Sequence, residues 1–393
     1  MPLAGFRILT AEQYGAAPYG TLFLAQLGAE VIKIEPPQGG DTARQVGPHF
    51  LAEGESLYFQ TFNAGKRSLT LDLRRPEGQA VLHRLVAGAH AVANNLRGDI
   101  PARLGLTYAA LCAHNPAIVC AHLSSYGRDN ARAAWPGYDY LMQAEAGFLT
   151  LTGEPDAPPT RFGLSVVDFM TGAQMVIGLL AALLGAQRTG RGCDIDVDLL
   201  SVALHQTSYP ALWYLNEGDA IGRAPRSAHP SVTPSQLFRA ANGWIFVMAQ
   251  LPKFWTVLTE AIGRPELAAD PRFVDYEARL ANRDALTAEL DATFGQHPVS
   301  HWLGLLQGRV PVAPVHTLAE ALDAPFFRET GMVTTTDHPA RPGLRVLANP
   351  IRIDGARLPA APAPFLGDDT EAVLAEAGFS SAEIAGLRDA GIV

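Results

Sequence analysis

The chain has 393 residues, enough for two domains each with its own core. Apolar residues make up 48% and charged residues 18%, below the roughly 25% usual for soluble proteins, so a large subunit interface is expected beyond one subunit's core. The net charge of −9 offers no global attraction to nucleic acid or to an anionic membrane, and an anionic ligand has to be held by a local cluster of Lys and Arg. Cys112, Cys120 and Cys193 lack metal-ligand spacing and read as reduced, buried, unreactive thiols. Arg7 and Glu12 interrupt the N-terminal stretch, which has no signal-peptide core, and no run of ~18 uncharged apolar residues occurs. A cytoplasmic protein without a membrane or nucleic-acid partner is expected.

Residues 6–10 form an apolar strand, 11–18 a loop, 19–27 a helix and 29–35 a second strand. This βαβ unit predicts a parallel sheet with helices on both faces and ligands beyond the carboxyl ends of its strands. Glu35 closes the second strand where a ribose-binding acid would sit in a dinucleotide site, but residues 13–20 contain no G-x-G-x-x-G and Pro18 removes an amide wanted for pyrophosphate. A nicotinamide or flavin cofactor is therefore not expected.

A further strand spans 68–73, with Lys66 and Arg67 before it, Arg74 and Arg75 after it, and Pro76 opening an amphipathic helix. Arg97 and Arg103 follow. Single arginines of this kind are ordinarily solvated surface, yet their recurrence at strand ends hints at a phosphate-bearing ligand. Residues 117–123 make another strand, in which His122 reads as a core histidine with one nitrogen satisfied.

The stretch 165–172 places Asp168 inside an apolar run, at the mouth of a helix that continues to about residue 185 and is apolar nearly all round, as a buried helix would be. Two readings are open. Asp168 serves the helix as an N-cap or first-turn residue. Alternatively, the same amides keep an ionised carboxylate in a shielded pocket, as a nucleophile requires. Asp194, Asp196 and Asp198 then alternate with apolar residues along 193–200; without a His or a Gly-rich loop nearby they read as a solvated strand edge and not a metal site.

Gly, Pro, Ser and Ala enrichment marks 218–235 as a linker. Strand 243–248, helices 253–262, 276–294 and 300–307, and a return at 308–314 make a small α+β insert. Helices at 369–377 and 381–390 close the chain. The expected division is 1–217 for the first part of a large domain, 218–235 as linker, 236–314 for the insert, and 315–393 for the return into the large domain.

Residues 27–36, 66–73, 95–105 and 136–139, Val167 and Asp168 with their helix, residues 188–192 and residues 362–367 together resemble, in order and spacing, the family III CoA-transferases typified by the formyl-CoA and carnitine enzymes. The resemblance spans nearly the whole chain. It implies an α/β fold with a Rossmann-like large domain and a small inserted domain, in a ring-shaped subunit of an interlocked homodimer. It also implies Asp168 as the catalytic carboxylate, CoA contacts at Leu71, Arg74, Asn95, Leu96, Arg103 and Leu104, and an acyl pocket bordered by Tyr138, Asp139, Gln13 and Gly15. No cofactor is bound permanently; the partners are an acyl-CoA thioester as substrate, a small carboxylic acid and a second copy of the chain.

Moving CoA between two acids conserves the thioester and needs no ATP, so the implied route runs through an aspartyl anhydride and an aspartyl-CoA thioester, with water excluded and backbone amides holding the oxyanions. Oxalate-specific members carry a glycine-rich loop in the insert and a glutamine in the first loop. Here the insert reads Met248, Ala249, Gln250, and Gly15 fills the first-loop position, so formyl-CoA:oxalate exchange is not implied. Short dicarboxylic acyl-CoAs such as succinyl-CoA are the expected donors; a second carboxylate would need a cationic partner, for which Arg44, Arg161 and Arg226 are candidates by position only, each reading more simply as a surface or interface arginine. One alternative is an α-methylacyl-CoA racemase, whose Gly-His-Asp motif is replaced here by Gly137, Tyr138 and Asp139; a phenol of pKa ~10 substitutes poorly for an imidazole. The other is a catalytically silent CoA-binding scaffold, which would have no need to keep Asp168.

Overall fold

The computed structural model describes all 393 residues. They divide into two compact units, one of Met1–Ala146, Phe162–Ser208 and Pro325–Val393, the other of Gly147–Arg161 and Tyr209–Ala324.

The first unit is built on strands β1 (Arg7–Ala11), β2 (Glu30–Glu35), β3 (Arg67–Thr70), β4 (Ala91–Asn94), β5 (Val119–Ser124) and β6 (Asp194–Asp198). All pairings are parallel, in the order β3-β2-β1-β4-β5-β6. This is the order of a Rossmann-type sheet, whose ligand crevice lies where the order reverses, between β1 and β4. Sequence periodicity misses β4, which at four residues is too short to carry a pattern. Strands β1, β2 and β5 are buried along nearly their whole length, as expected of a parallel sheet covered on both faces.

Helix α1 (Ala16–Gln26) starts three residues earlier than the sequence suggests, because Pro18 lies in its first turn, where no intrahelical N–H is required. Helices α2 (Leu57–Asn63), α3 (Pro76–Val86), α4 (Asp139–Glu145) and α5 (Val166–Thr189) follow. Helix α5 is long and apolar enough to cross a bilayer, but it packs on α1, β5 and β6 as a sheet-covering helix. It crosses α1 at two glycines: a Cβ on Gly172 would lie 2.3 Å from the Ala16 carbonyl oxygen, and one on Gly20 would lie 2.4 Å from the Gly172 carbonyl oxygen. The helix is not buried all round as its sequence implies. Ile177 and Leu184, each 61% exposed, lie on an outer stripe that the first unit leaves uncovered.

The C-terminal segment returns to β3. Asp369 accepts from the Ser68 amide, Thr370 accepts from Thr70, and the Ile392 carbonyl takes the Asp72 amide. A hairpin of Val333–His338 and Arg341–Leu347, not foreseen from sequence, precedes this return.

The second unit has a three-stranded antiparallel sheet, ordered Val312–Pro314, Gly243–Met248, Ser235–Ala240, over a core that includes Phe238, Trp255, Phe273, Phe294 and Trp302. Arg223 donates to the carbonyls of Leu149, Glu154, Ala157 and Pro158 and so ties the 147–161 segment into this unit. The helix expected over 276–294 is two helices, Tyr276–Ala281 and Arg283–Phe294, broken at Asn282.

Candidate active site

Two cavities open at the carboxyl ends of the sheet strands. The larger, about 420 Å³, lies beyond β1, β2 and β3 and is lined by Leu71, Arg74, Leu96 and Leu104, among others. The smaller, about 220 Å³, lies beyond β1, β4 and β5 and is lined by Gly15, Asn95, Tyr138 and Asp168, among others. Gln13 and Leu96 line both, at the switch point between β1 and β4.

The loop after β1 is held open by its neighbours. Asn95 accepts from the Gln13 amide at 2.8 Å and donates to the Gln13 carbonyl at 2.7 Å. Tyr14 has φ +59°, a left-handed conformation costly for a non-glycine residue, and its amide is taken by Asp41. Asp41 is fixed by Lys33 at 2.9 Å, with both side chains fully buried. Lys66 joins the same buried layer at 2.7 Å from Glu12. Burial lowers the Lys66 ammonium to about 8. Burial alone would raise Glu12, but Lys66 and Lys33 outweigh it and hold that carboxyl below its usual range.

Asp168 stands in the first turn of α5 and is not the N-cap, which is Ser165. Its backbone amide donates to Asp139 Oδ2 at 2.9 Å, so a carboxylate distant in sequence satisfies this helix start. Asp139 is in turn held by Gln143 Nε2 at 2.6 Å, and Gln143 also donates to the Leu164 carbonyl and accepts from the Phe162 amide. Gln143 sits one helical turn after Asp139, a spacing from which the pairing could have been read.

The Asp168 side chain accepts no hydrogen bond within the chain. Burial, and secondly the charge of Asp139, push its carboxyl up to about 7. The expectation that helix amides would keep it ionised is thus corrected: Asp139 occupies the amide of that residue, and the carboxyl projects into a poorly solvated space. Phe169, the next residue, packs its ring at a tilt against Tyr19 and Phe62.

The sequence-derived set is only partly assembled. Leu71, Arg74, Leu96 and Leu104 meet in the larger cavity, and Gln13, Gly15, Asn95, Tyr138 and Asp168 in the smaller. Tyr138 is 65% exposed. Asp139 lines neither cavity and lies buried beneath the second. Arg103 lines neither and pairs with Asp99. Of the basic residues at strand ends, Lys66 is buried against Glu12, and Arg67 pairs with Glu30, Asp369 and Glu376. Arg74 stays 77% exposed at the cleft while pairing with Asp72. Arg44 is buried in a bidentate pair with Glu35 and a contact to Glu55, so it is not available to a substrate carboxylate. Arg226 pairs with Asp291.

Other expectations also change. Glu35 is committed to Arg44. His122 has both nitrogens engaged, by Asn94 and Asp194. Asp196 pairs with Arg128, and Asp198 caps the helix that follows. Cys193 is exposed, not buried. Tyr14 and Tyr58, which no sequence pattern marks, form edge-on ring contacts beside the loop.

A model of the family described as CoA-transferase family III matches residues 3–370. The chain belongs to CoA-transferase family III. Among curated relatives, this CoA-transferase is similar to the acetyl-CoA:oxalate CoA-transferase of Acetobacter aceti, with 35% identity covering 90% of each chain. It is also similar to the succinyl-CoA:mesaconate CoA-transferase of Haloarcula hispanica, with 33% identity covering 96% of this chain and 97% of the relative. Among solved structures, a CaiB/BaiF family protein from Brucella suis superposes with a TM-score of 0.82 at 34% identity, covering 96% of this chain and 99% of that one.

Proposed function

We propose that this CoA-transferase moves CoA from a short dicarboxylic acyl-CoA, succinyl-CoA foremost, to a carboxylic acid acceptor through covalent intermediates on Asp168. The observation that carries the reading is the pair of neighbouring cavities that share Gln13 and Leu96 in their lining, with Asp168 in the wall of the smaller one. The larger cavity takes the nucleotide end of CoA, with Arg74 for its phosphates and Leu71, Leu96 and Leu104 for apolar contact. Asn95 serves by clamping Gln13. The thioester passes the switch point and reaches Asp168, beside Gln13, Gly15 and Tyr138.

An ionised Asp168 oxygen attacks the thioester carbonyl, the C–S bond breaks, and CoA leaves as a thiolate from a mixed anhydride. The thiolate then attacks the Asp168 carbonyl carbon, expelling the donor acid and leaving an aspartyl-CoA thioester. The acceptor carboxylate reverses both steps. A carboxylate stripped of water is a stronger nucleophile than a hydrated one, which fits the burial of Asp168. The names of the relatives, acetyl-CoA:oxalate and succinyl-CoA:mesaconate, support a dicarboxylate on one side of the exchange and keep oxalate among the acceptors to be tested.

The partners in this reading are acyl-CoA, small acids and a second copy of the chain, in the cytoplasm. The uncovered Ile177 and Leu184 on α5 support the homodimer. Light scattering at micromolar concentration is expected to give twice the mass of one chain.

The test is peptide mass spectrometry after incubation with succinyl-CoA, acetyl-CoA and other donors and a hydroxylamine quench. A hydroxamate confined to the Asp168 peptide supports the route; its absence with every donor overturns it. A pH profile adds a second check. With the carboxyl near 7, kcat/KM rises with pH through about 7 as the nucleophile ionises. Asp139→Asn removes the neighbouring negative charge while keeping an oxygen for the Asp168 amide, so this acid limb moves by roughly one pH unit to lower pH. An unchanged limb would exclude Asp139 as a determinant of Asp168 ionisation.

A further inference from the structure

Tyr58 sits in the first turn of α2, a helix start fixed by Ser56, whose hydroxyl accepts from the Phe59 amide and donates to the Ala43 carbonyl at 2.6 Å. Its ring is held edge-on by Phe62, with centroids 5.2 Å apart, and by Tyr14 at 6.3 Å. Nothing in the chain hydrogen-bonds its hydroxyl. Asp168 is in the same condition, and the two unpartnered groups converge on one point. A Cβ built on Gly15 would stand 3.3 Å from Asp168 Oδ2 and 3.6 Å from the Tyr58 hydroxyl oxygen. The first contact is tight and the second ordinary, so the carboxylate and the phenol face one narrow slot beside the bare Cα of Gly15, into which a side chain there would intrude. Gly15 has φ −109°, which any residue adopts, so turn geometry does not call for a glycine here.

We infer that this slot receives the acyl carbonyl under attack and that the Tyr58 hydroxyl donates a hydrogen bond to its oxygen. The inference rests on Asp168 as nucleophile. As the Asp168 oxygen bonds to the carbonyl carbon, the C=O pair moves onto oxygen, where the Tyr58 O–H holds it; the pair then returns and the C–S bond breaks. The phenol gives up no proton. It keeps that proton throughout, because burial, and then the charge of Asp168, push it up to about 12. A donor already aimed at the site of developing charge stabilises the transition state more than the ground state.

Single-turnover formation of the Asp168 adduct from succinyl-CoA, compared between wild type and Tyr58→Phe, tests this. The ring packing is kept and the hydroxyl is lost. Adduct formation is expected to slow by about 10²-fold, with the dissociation constant for acyl-CoA and the melting temperature unchanged. A rate within twofold of wild type overturns the inference, and so does a loss explained entirely by weaker binding. Gly15→Ala provides a second reading that does not depend on Tyr58 packing: its methyl group narrows the slot, and adduct formation is expected to slow while free CoA still binds. Gly15→Ala forming adduct at the wild-type rate equally overturns it. If wild type itself forms no adduct on Asp168 with any donor, the failure belongs to the proposed function and not to Tyr58.

Discussion

Asp168→Asn is expected to lose at least about 10³-fold in turnover and to form no acyl or CoA adduct. The change is nearly isosteric, and the side chain it alters caps nothing, since the bond that secures the helix start runs from the Asp168 backbone amide to Asp139. The fold should therefore survive, and the loss can be assigned to chemistry. A second consequence separates this residue from a structural aspartate. Its carboxyl is pushed up to about 7 when folded, against ~3.9 when unfolded, so the folded state holds its proton longer and this group's contribution to stability falls as pH rises between those values. The amide has no such titration. Asp168→Asn and wild type should melt alike below about pH 4, and above pH 7 the variant should be the more stable by roughly 2–4 kcal/mol. Thermal melts across that range check it; equal stability at all pH values would mean that Asp168 is not held in a desolvated site.

Gly172→Ala is expected to be severely destabilising, by several kcal/mol, although it replaces glycine with a better helix former in the middle of a helix. Propensity alone predicts a gain of about 1 kcal/mol. The crossing decides otherwise: the new methyl group would lie 2.3 Å from the Ala16 carbonyl oxygen and 3.1 Å from the Gly20 amide nitrogen, and both are backbone atoms that cannot turn aside. To relieve the clash α1 and α5 must separate, which moves Gly15 at the start of α1 away from Asp168 at the start of α5. Melting temperature and adduct formation should fall together. Wild-type melting and activity in the Gly172→Ala variant would show that the helices do not meet at these glycines.

Much of the site was legible because its elements carry strong local patterns. The strand at 29–35 and the apolar helix after Asp168 announce a parallel α/β sheet and a lone carboxylate on a helix start. Of the six CoA contacts that the resemblance implies, Leu71, Arg74, Leu96 and Leu104 line one cavity, whereas Asn95 lines the other and Arg103 lines neither. Charge was the least legible property. Lys66, Arg67 and Arg44 look in sequence like ligands for phosphate or carboxylate, yet each is neutralised by acids that the fold brings from elsewhere, Glu12, Asp369 and Glu35 among them. Sequence separation hides such pairs, because nothing local at Arg67 points to a carboxylate 302 positions away.

Along the chain, then, periodicity announced the α/β architecture, while the family and the interest of Asp168 came from the resemblance that an ordered set of motifs carries. Only the tertiary structure decided what surrounds that carboxylate. The amide of Asp168 belongs to Asp139, its carboxyl rises toward neutrality because burial and that neighbour disfavour its charge, and its side chain shares the flank of Gly15 with the Tyr58 hydroxyl. Each of these depends on atoms from segments far apart in the chain that meet within about 4 Å, and contacts at that range are fixed by packing and not by local pattern.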